Sequence, residues 1–333
     1  MNPVRRCLVK GLVLEGLTGG LSAPFIRPAR AARPFTLVTN WYAQPDQGGF
    51  YQAEATGLYR AAGLDVVIQS GTPQLNATQL LVTGAVDAII GFDTQVLTQV
   101  SRGIPVVTVA AVFQYDQEGL LAHDDIQRIE QLKDHSLMIS ANSRPGFWPW
   151  LKQRFDFTDE QVRPYDDNLQ PFMLDRSIAI QSIATAEPCV LHRKGVGFRF
   201  FPFSDYGYPT YSCTVVTRRD VAERDPARLR AFLEASMAGY RSYLTSDPAP
   251  ANRIIRRENH ALDDEAIGCA LDVIKSSKLC ISGDAARGGI GTMTEARWQA
   301  TYAFMVRFGL IPAQTDWRRA FSLDYLPSRP ILL

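Results

Sequence analysis

The 333-residue chain is poor in the residues that most often build metal and redox chemistry. It has four histidines and five cysteines, no Cys-x-x-Cys pair, and no histidine at zinc-ligand spacing. His123, His135, His192 and His260 are scattered without a shared local motif, so none is assigned to a metal or to catalysis. Charge of either sign is also missing in excess: 35 basic residues face 34 acidic ones, which gives no footprint for nucleic acid or an anionic membrane. No stretch reaches the roughly 18 uninterrupted apolar residues of a membrane span, so the product is expected to be soluble. Lysine is absent from residues 11 to 132, and there is no internal repeat or low-complexity tract.

What is present is an ordinary globular composition, 46% hydrophobic and 21% charged, long enough for two compact lobes. Met1 to Ala31 stands apart. It holds Arg5-Arg6, a mildly apolar run from Cys7 to Phe25, and Ala29-Arg30-Ala31, which together resemble an export signal cleaved near Ala31. The paired arginines and the weakly hydrophobic run, interrupted by Lys10 and Glu15, point to twin-arginine rather than general secretory export. The alternative is an N-terminal extension of a cytosolic protein. Cleavage would leave 30 basic and 33 acidic residues. It would also leave Cys189, Cys213, Cys269 and Cys280; one disulfide is compatible with an oxidising compartment, but four mostly buried thiols are the slightly preferred reading.

From Gly48 to Val109, helix-period segments alternate with short β-branched runs: Phe50 to Ala62, Asp65 to Gln69, Leu75 to Val82, Val86 to Ile90, Gln95 to Val100, then Val106 to Val109. That alternation predicts a parallel sheet with crossover helices and ligand-facing loops. A second α/β unit follows, with strands near Leu137 to Ser140, Ile178 to Ile183 and Phe198 to Phe201. Beyond Thr214 to Thr217 the chain turns helical over Pro226 to Leu244, Ala249 to Arg257, Asp263 to Ser276 and Thr292 to Phe308. The economical architecture is two α/β lobes, residues 33–114 with 212–333 and residues 115–211. The crossings fall near Phe113-Gln114-Tyr115 and Ser204 to Tyr211. A cleft between lobes joined in this way suits hinge closure around a small ligand.

The pattern Gly-x-Tyr-x-Ala-x-x-x-Gly-Leu-Tyr-x-x-x-Gly-Leu-Asp-Val from Gly49 to Val66 resembles the periplasmic solute-binding proteins of ABC importers. Gln79 to Asp87, Gly103 to Val107, Thr185-Ala186-Glu187-Pro188 and Asp205 to Pro209 match in the same order. The likeness is to the branch holding alkanesulfonate and taurine binders, aminopyrimidine binders and the thiamine pyrimidine synthases. It implies a type II periplasmic-binding-protein fold, a monomer that delivers a small solute to a membrane permease and its ATPase, and no chemistry in the binder. The synthase relatives use a histidine, pyridoxal phosphate, iron and a cysteine-rich motif. Here Gln47 stands near the histidine position, and Tyr208 to Cys213 offers one cysteine, so synthase chemistry is not expected and no cofactor is assigned.

Candidate ligand contacts follow from residue type and place. Trp41, just after the first strand, can stack on a planar ring, with core packing as the alternative. Gln47, Gly49 and Phe50 lie at a helix start, where free N–H groups attract an acceptor. Asp93 is either an N-cap or an acceptor for an exocyclic amine. Glu187, between Ala186 and Pro188, suits the amine better, with helix-start stabilisation as its alternative. Arg144 argues instead for a sulfonate, carboxylate or phosphate, unless it is an ordinary exposed arginine. Phe113, Tyr208 and Tyr211 at the crossings can close over a ring or pack the hinge. The aromatic load with two carboxylates ranks a flat heterocycle, such as a thiamine-precursor aminopyrimidine, above sulfonate, taurine or nitrate; flavins are a further ligand class.

Overall fold

In the computed structural model the described residues are 33–72, 75–141 and 144–333. The expected export signal and its cleavage site near Ala31 lie outside them, as does Ser143. The first half begins with β1 (Phe35–Val38), α1 (Gly48–Ala55), α2 (Leu58–Ala61), β2 (Val66–Gln69) and α3 (Ala77–Thr83). It continues through β3 (Ala88–Gly91), α4 (Asp93–Ser101) and β4 (Val106–Phe113). Next come β5 (Glu118–His123), β6 (Ser136–Ile139), α5 (Arg144–Phe155), β7 (Val162–Pro164), α6 (Gln170–Leu174), β8 (Ile178–Ile183), α7 (Glu187–Arg193) and β9 (Phe198–Pro202). The chain closes with β10 (Ser212–Arg218), α8 (Arg219–Arg224), α9 (Pro226–Thr245), α10 (Ala249–Glu258), α11 (Asp264–Ser276), α12 (Ala285–Gly288) and α13 (Glu295–Arg307).

Two five-stranded sheets result, ordered β2-β1-β3-β10-β4 and β7-β6-β8-β5-β9. The first is mixed: the strands of the Gly48 to Val109 stretch run in one direction, as expected, and the later β10 enters reversed. Strands β1, β2 and β3 run parallel, but β10 is antiparallel to both β3 and β4. In the second sheet β5 is likewise antiparallel to β8 and β9. The reversed strand in each sheet is the one that follows a passage from the other sheet: β5 after the first crossing, β10 after the second. Strand β4 ends its sheet yet is buried along all eight residues. The C-terminal segment covers it through bridges Thr108 to Phe321 and Ala111 to Gly291, which protects an edge that would otherwise invite pairing.

The single helix expected over Phe50 to Ala62 is broken at Gly57, whose φ of +79° is left-handed backbone that glycine tolerates. Ahead of the break, α1 lies against α9 at unusually close range. A Cβ on Gly48 would meet the Tyr243 ring at 2.2 Å, and one on Gly49 the Tyr240 ring at 2.1 Å. Phe50 is fully buried beside Phe232, ring centroids 6.4 Å apart, and edge-on to Tyr240 at 5.1 Å. Leu229, Phe232, Leu233, Met237 and Tyr240 of α9 form the expected apolar stripe, and all are buried.

The cysteines correct the preference for free thiols. Cys189 of α7 and Cys269 of α11 form a disulfide, with Cα atoms 5.9 Å apart, while Cys213 and Cys280 are free and buried.

Candidate ligand-binding cleft

The loop after β1 is stapled so that it presents an aromatic pair. Thr39 Oγ1 donates to the Trp41 carbonyl at 2.6 Å and accepts from the Gly71 N–H at 2.9 Å. Ala43 N–H donates to Ser70 Oγ at 2.8 Å, and Gln47 Nε2 to Asn40 Oδ1 at 3.1 Å. With its backbone held on both sides, the loop leaves Trp41 and Tyr42 each 38% exposed, edge to face at 5.7 Å. Gln47 itself is buried, its side chain spent on Asn40 and the Gln44 N–H.

Between the aromatics and α1, a 3-10 turn spans Pro45–Gln47 and carries Asp46. Its carboxylate is buried. Oδ2 accepts from Gln44 Nε2 at 3.0 Å and from Thr185 Oγ1, on the other sheet's β8–α7 loop, at 3.3 Å. Oδ1 has no hydrogen-bond partner among the described residues. Burial pushes the Asp46 carboxyl up to about 6, with the Thr185 hydrogen bond and the neighbouring Gln117 amide pulling the other way. The Asp46 carbonyl takes the Tyr240 hydroxyl at 2.7 Å and the Cys213 thiol at 3.6 Å. Burial pushes that thiol up to about 12, so it stays protonated and unreactive.

The crossings are tied together by polar groups that sequence reasoning only half found. Asp93 begins α4, fully buried: Oδ1 accepts from the Thr94 N–H at 2.7 Å, and Oδ2 from the Tyr211 N–H at 2.9 Å and Thr301 Oγ1 at 3.1 Å. Burial drives its carboxyl up to about 7 against those hydrogen bonds. Asp116 in the first crossing accepts from Thr210 of the second at 3.1 Å. Arg297 of α13 donates to the Gln114 and Pro209 carbonyls at 2.8 and 3.0 Å, one from each crossing, and lies over the rings of Tyr115 and Tyr211. Tyr211 is fully buried and donates its hydroxyl to Asp284 at 2.5 Å.

The remaining expected contacts are committed elsewhere. Phe113 is fully buried at the end of β4. Tyr208 is buried between Trp150 of α5 and Phe304 of α13, at 5.2 and 5.1 Å. Arg144 pairs with Asp159 at 2.5 Å, on a carboxylate shared with Lys152 and the Trp148 indole. Glu187 accepts from the Ile183 N–H at 2.9 Å, Ser182 Oγ at 3.1 Å and the Tyr165 hydroxyl at 3.1 Å, and burial raises its carboxyl. Gly49 serves the α1–α9 contact described above. Thus the structure joins Trp41 and Gln47 in one loop, and Asp93 to Tyr211, while Arg144 and Glu187 are each paired within the second sheet's half. Asp46, Asp116 and Arg297 escaped sequence reasoning: Asp46 reads as an ordinary acid before a helix, and nothing local marks Asp116 or Arg297 as ties between distant segments. Among the described residues, no group of three or more His, Cys, Asp or Glu could hold a metal ion.

The family model described as "NMT1/THI5 like" matches residues 44–251. The formylaminopyrimidine-binding protein of Halalkalibacterium halodurans is 25% identical over 238 residues, covering 68% of this chain and 71% of that protein. The riboflavin-binding protein RibY of Chloroflexus aurantiacus is 22% identical over 340 residues, 92% of this chain and 91% of that one. Among solved structures, the periplasmic aliphatic sulphonate-binding protein SsuA of Escherichia coli superposes with a TM-score of 0.61 at 16% identity, over 90% of this chain and 94% of that chain. The fold is therefore the type II periplasmic-binding-protein fold, two α/β lobes joined by two crossings.

Proposed function

This chain belongs to the NMT1/THI5-like family, and on that premise we propose that it is the exported solute-binding component of an ABC importer. In this reading it takes a small planar heterocycle, such as a thiamine-precursor aminopyrimidine, between its lobes. The lobes are residues 33–114 with 212–333, and residues 115–211. The observation that carries the ligand class is one loop, which holds the exposed Trp41–Tyr42 pair and, a few residues on, a buried carboxylate oxygen of Asp46 with no partner. A flat ring bearing amino hydrogens offers each a partner of the right kind, its face for the indole and an N–H for Asp46 Oδ1. The relative named for binding formylaminopyrimidine supports the same class.

Roles divide accordingly. Trp41 and Asp46 contact ligand; Gln47 holds their loop; Asp93 and Tyr211 hold the hinge; Gly49, Phe50, Phe113 and Tyr208 supply packing behind the cleft; Arg144 and Glu187 belong to the opposite wall. The protein makes and breaks no covalent bond in its ligand, acts as a monomer, and hands its cargo to a permease and ATPase. A thermal-shift panel of 4-amino-5-hydroxymethyl-2-methylpyrimidine, riboflavin, taurine and nitrate, run with and without dithiothreitol because Cys189 and Cys269 are bonded, tests this. A ligand present at 100 times its Kd stabilises by about 2.7 kcal/mol. The aminopyrimidine is expected to raise the melting point; a rise with taurine or nitrate alone contradicts the assignment.

A further inference from the structure

The Cys189–Cys269 disulfide crosses from one lobe to the other. Cys189 lies in α7, which follows β8 of the second sheet, whereas Cys269 lies in α11, which packs beside the 3-10 turn carrying Asp46 in the first lobe. Two weaker links cross at the same place. Arg193 of α7 pairs with Asp263 at the N-cap of α11 at 2.8 Å, and Thr185 reaches Asp46. The two lobes are thus linked here by one covalent and two polar bonds, all made by α7 or the loop leading into it.

The bond sits away from the hinge. Helix α11 runs back toward the first crossing, where the Gln114 N–H donates to the Leu279 carbonyl at 2.8 Å. Cys269 lies seven residues before the end of α11, roughly 10 Å along the helix at about 1.5 Å per residue. A disulfide holds its Cα atoms within about 6.8 Å, so from the 5.9 Å seen here the mouth can widen by only about 1 Å. Over that lever, about 1 Å corresponds to a rotation of roughly 5°. An aromatic ring needs a gap of about 3.5 Å or more between the surfaces it contacts. With the bond intact, the lobes can part by little more than a quarter of that at this point.

We propose that the Cys189–Cys269 bond is a redox latch on the ligand cleft: the oxidised chain is held shut, and the dithiol chain opens to load and release. This rests on the reading of the chain as a two-lobed binder. Opening requires a dithiol reductant. Its thiolate attacks Sγ of Cys269, the more exposed of the two residues; Cys189 leaves as a thiolate and takes up a proton. The reductant's second thiol then displaces Cys269, leaving two protein thiols and an oxidised reductant, a two-electron exchange that balances.

The test uses ligand-free protein, so that its outcome is independent of which solute binds. Small-angle scattering is compared for the oxidised chain, the chain reduced with dithiothreitol, and the Cys189→Ser/Cys269→Ser variant, with thiols counted after denaturation and folding checked by cooperative melting. The expected result is a larger radius of gyration for the reduced chain and for the variant, whose profiles coincide, than for the oxidised chain. Equal radii in all three, with loss of the bond confirmed, overturn the latch. A reduced chain and variant that lose cooperative melting overturn it as well, because the bond would then be a staple of the fold.

Discussion

Asp46 and Thr185 stand 139 residues apart in the chain and meet across the two lobes at 3.3 Å, the hydroxyl donating to Oδ2 and leaving Oδ1 unpartnered. A buried acceptor without a donor is costly, and native proteins keep few of them. Under the proposed function, the donor that Oδ1 lacks arrives with the ligand. The carboxylate belongs to the first sheet's half and the hydroxyl to the second's.

The buried carboxylates set the acid dependence of the ligand-free fold. Asp46 is raised to about 6 and Asp93 to about 7, so the folded chain holds protons that the unfolded chain has released. Their stabilising contribution is complete below about pH 4 and is lost as pH rises through 6 and 7. Asp116 and Glu187, also raised by burial, act in the same sense, whereas the lowered acids Asp124, Asp159, Glu160, Asp175, Asp220 and Asp263 act only below the ordinary carboxylate range. The buried Tyr240, Tyr243, Cys213 and Cys280 around Asp46 stay neutral throughout. The melting temperature is therefore expected to fall between pH 5 and 7, and Asp46→Asn to flatten that slope; scanning calorimetry at stepped pH reads both.

Two aromatic substitutions separate contact from packing. Trp41→Ala removes an exposed ring and is expected to change stability by less than about 0.5 kcal/mol. Ligand affinity should nevertheless fall by about 0.5–1.5 kcal/mol from the lost stacking. Phe50→Ala empties a fully enclosed site and should cost about 3–5 kcal/mol in urea unfolding.

Much of the fold was legible in the sequence because its elements carry strong local signals. The β-branched runs at Asp65 to Gln69 and Ile178 to Ile183 and the apolar stripe of α9 correspond to observed elements within a residue or two. Strand β5 was not legible: Glu118-Gly-Leu-Leu-Ala-His is rich in helix formers, and its pairing with β8 and β9 overrides that propensity. Nor could period and spacing reveal that β10 enters its sheet reversed, since that follows from where the second crossing delivers the chain. At the candidate site, residue type marked aromatics and acids but not their exposure. Phe50 and Tyr211 read like Trp41, and only packing separates buried rings from a presented one. Asp93 was legible as a helix-start acid, yet its partners Tyr211 and Thr301 lie 118 and 208 residues away.

Asp93 illustrates what the hinge demands. Asp93→Ala strands the buried Tyr211 N–H, with an expected cost of about 1–3 kcal/mol. Because that N–H belongs to the second crossing, hydrogen exchange at Tyr211 should accelerate more than exchange within β1 or β2. Uniform acceleration across the first lobe would instead mark a general loss of stability.

The most direct measurement is calorimetric titration of wild-type and Asp46→Asn protein, both reduced with dithiothreitol so that the cleft can open, with 4-amino-5-hydroxymethyl-2-methylpyrimidine at pH 7.5, where Asp46 is ionised. If Oδ1 receives the ligand's amino hydrogen, the variant loses a charge-assisted hydrogen bond of about 1.5–3 kcal/mol, roughly a ten- to hundredfold weaker Kd. An unchanged Kd in a variant that melts like the wild type would contradict the account, leaving Asp46 a structural carboxylate.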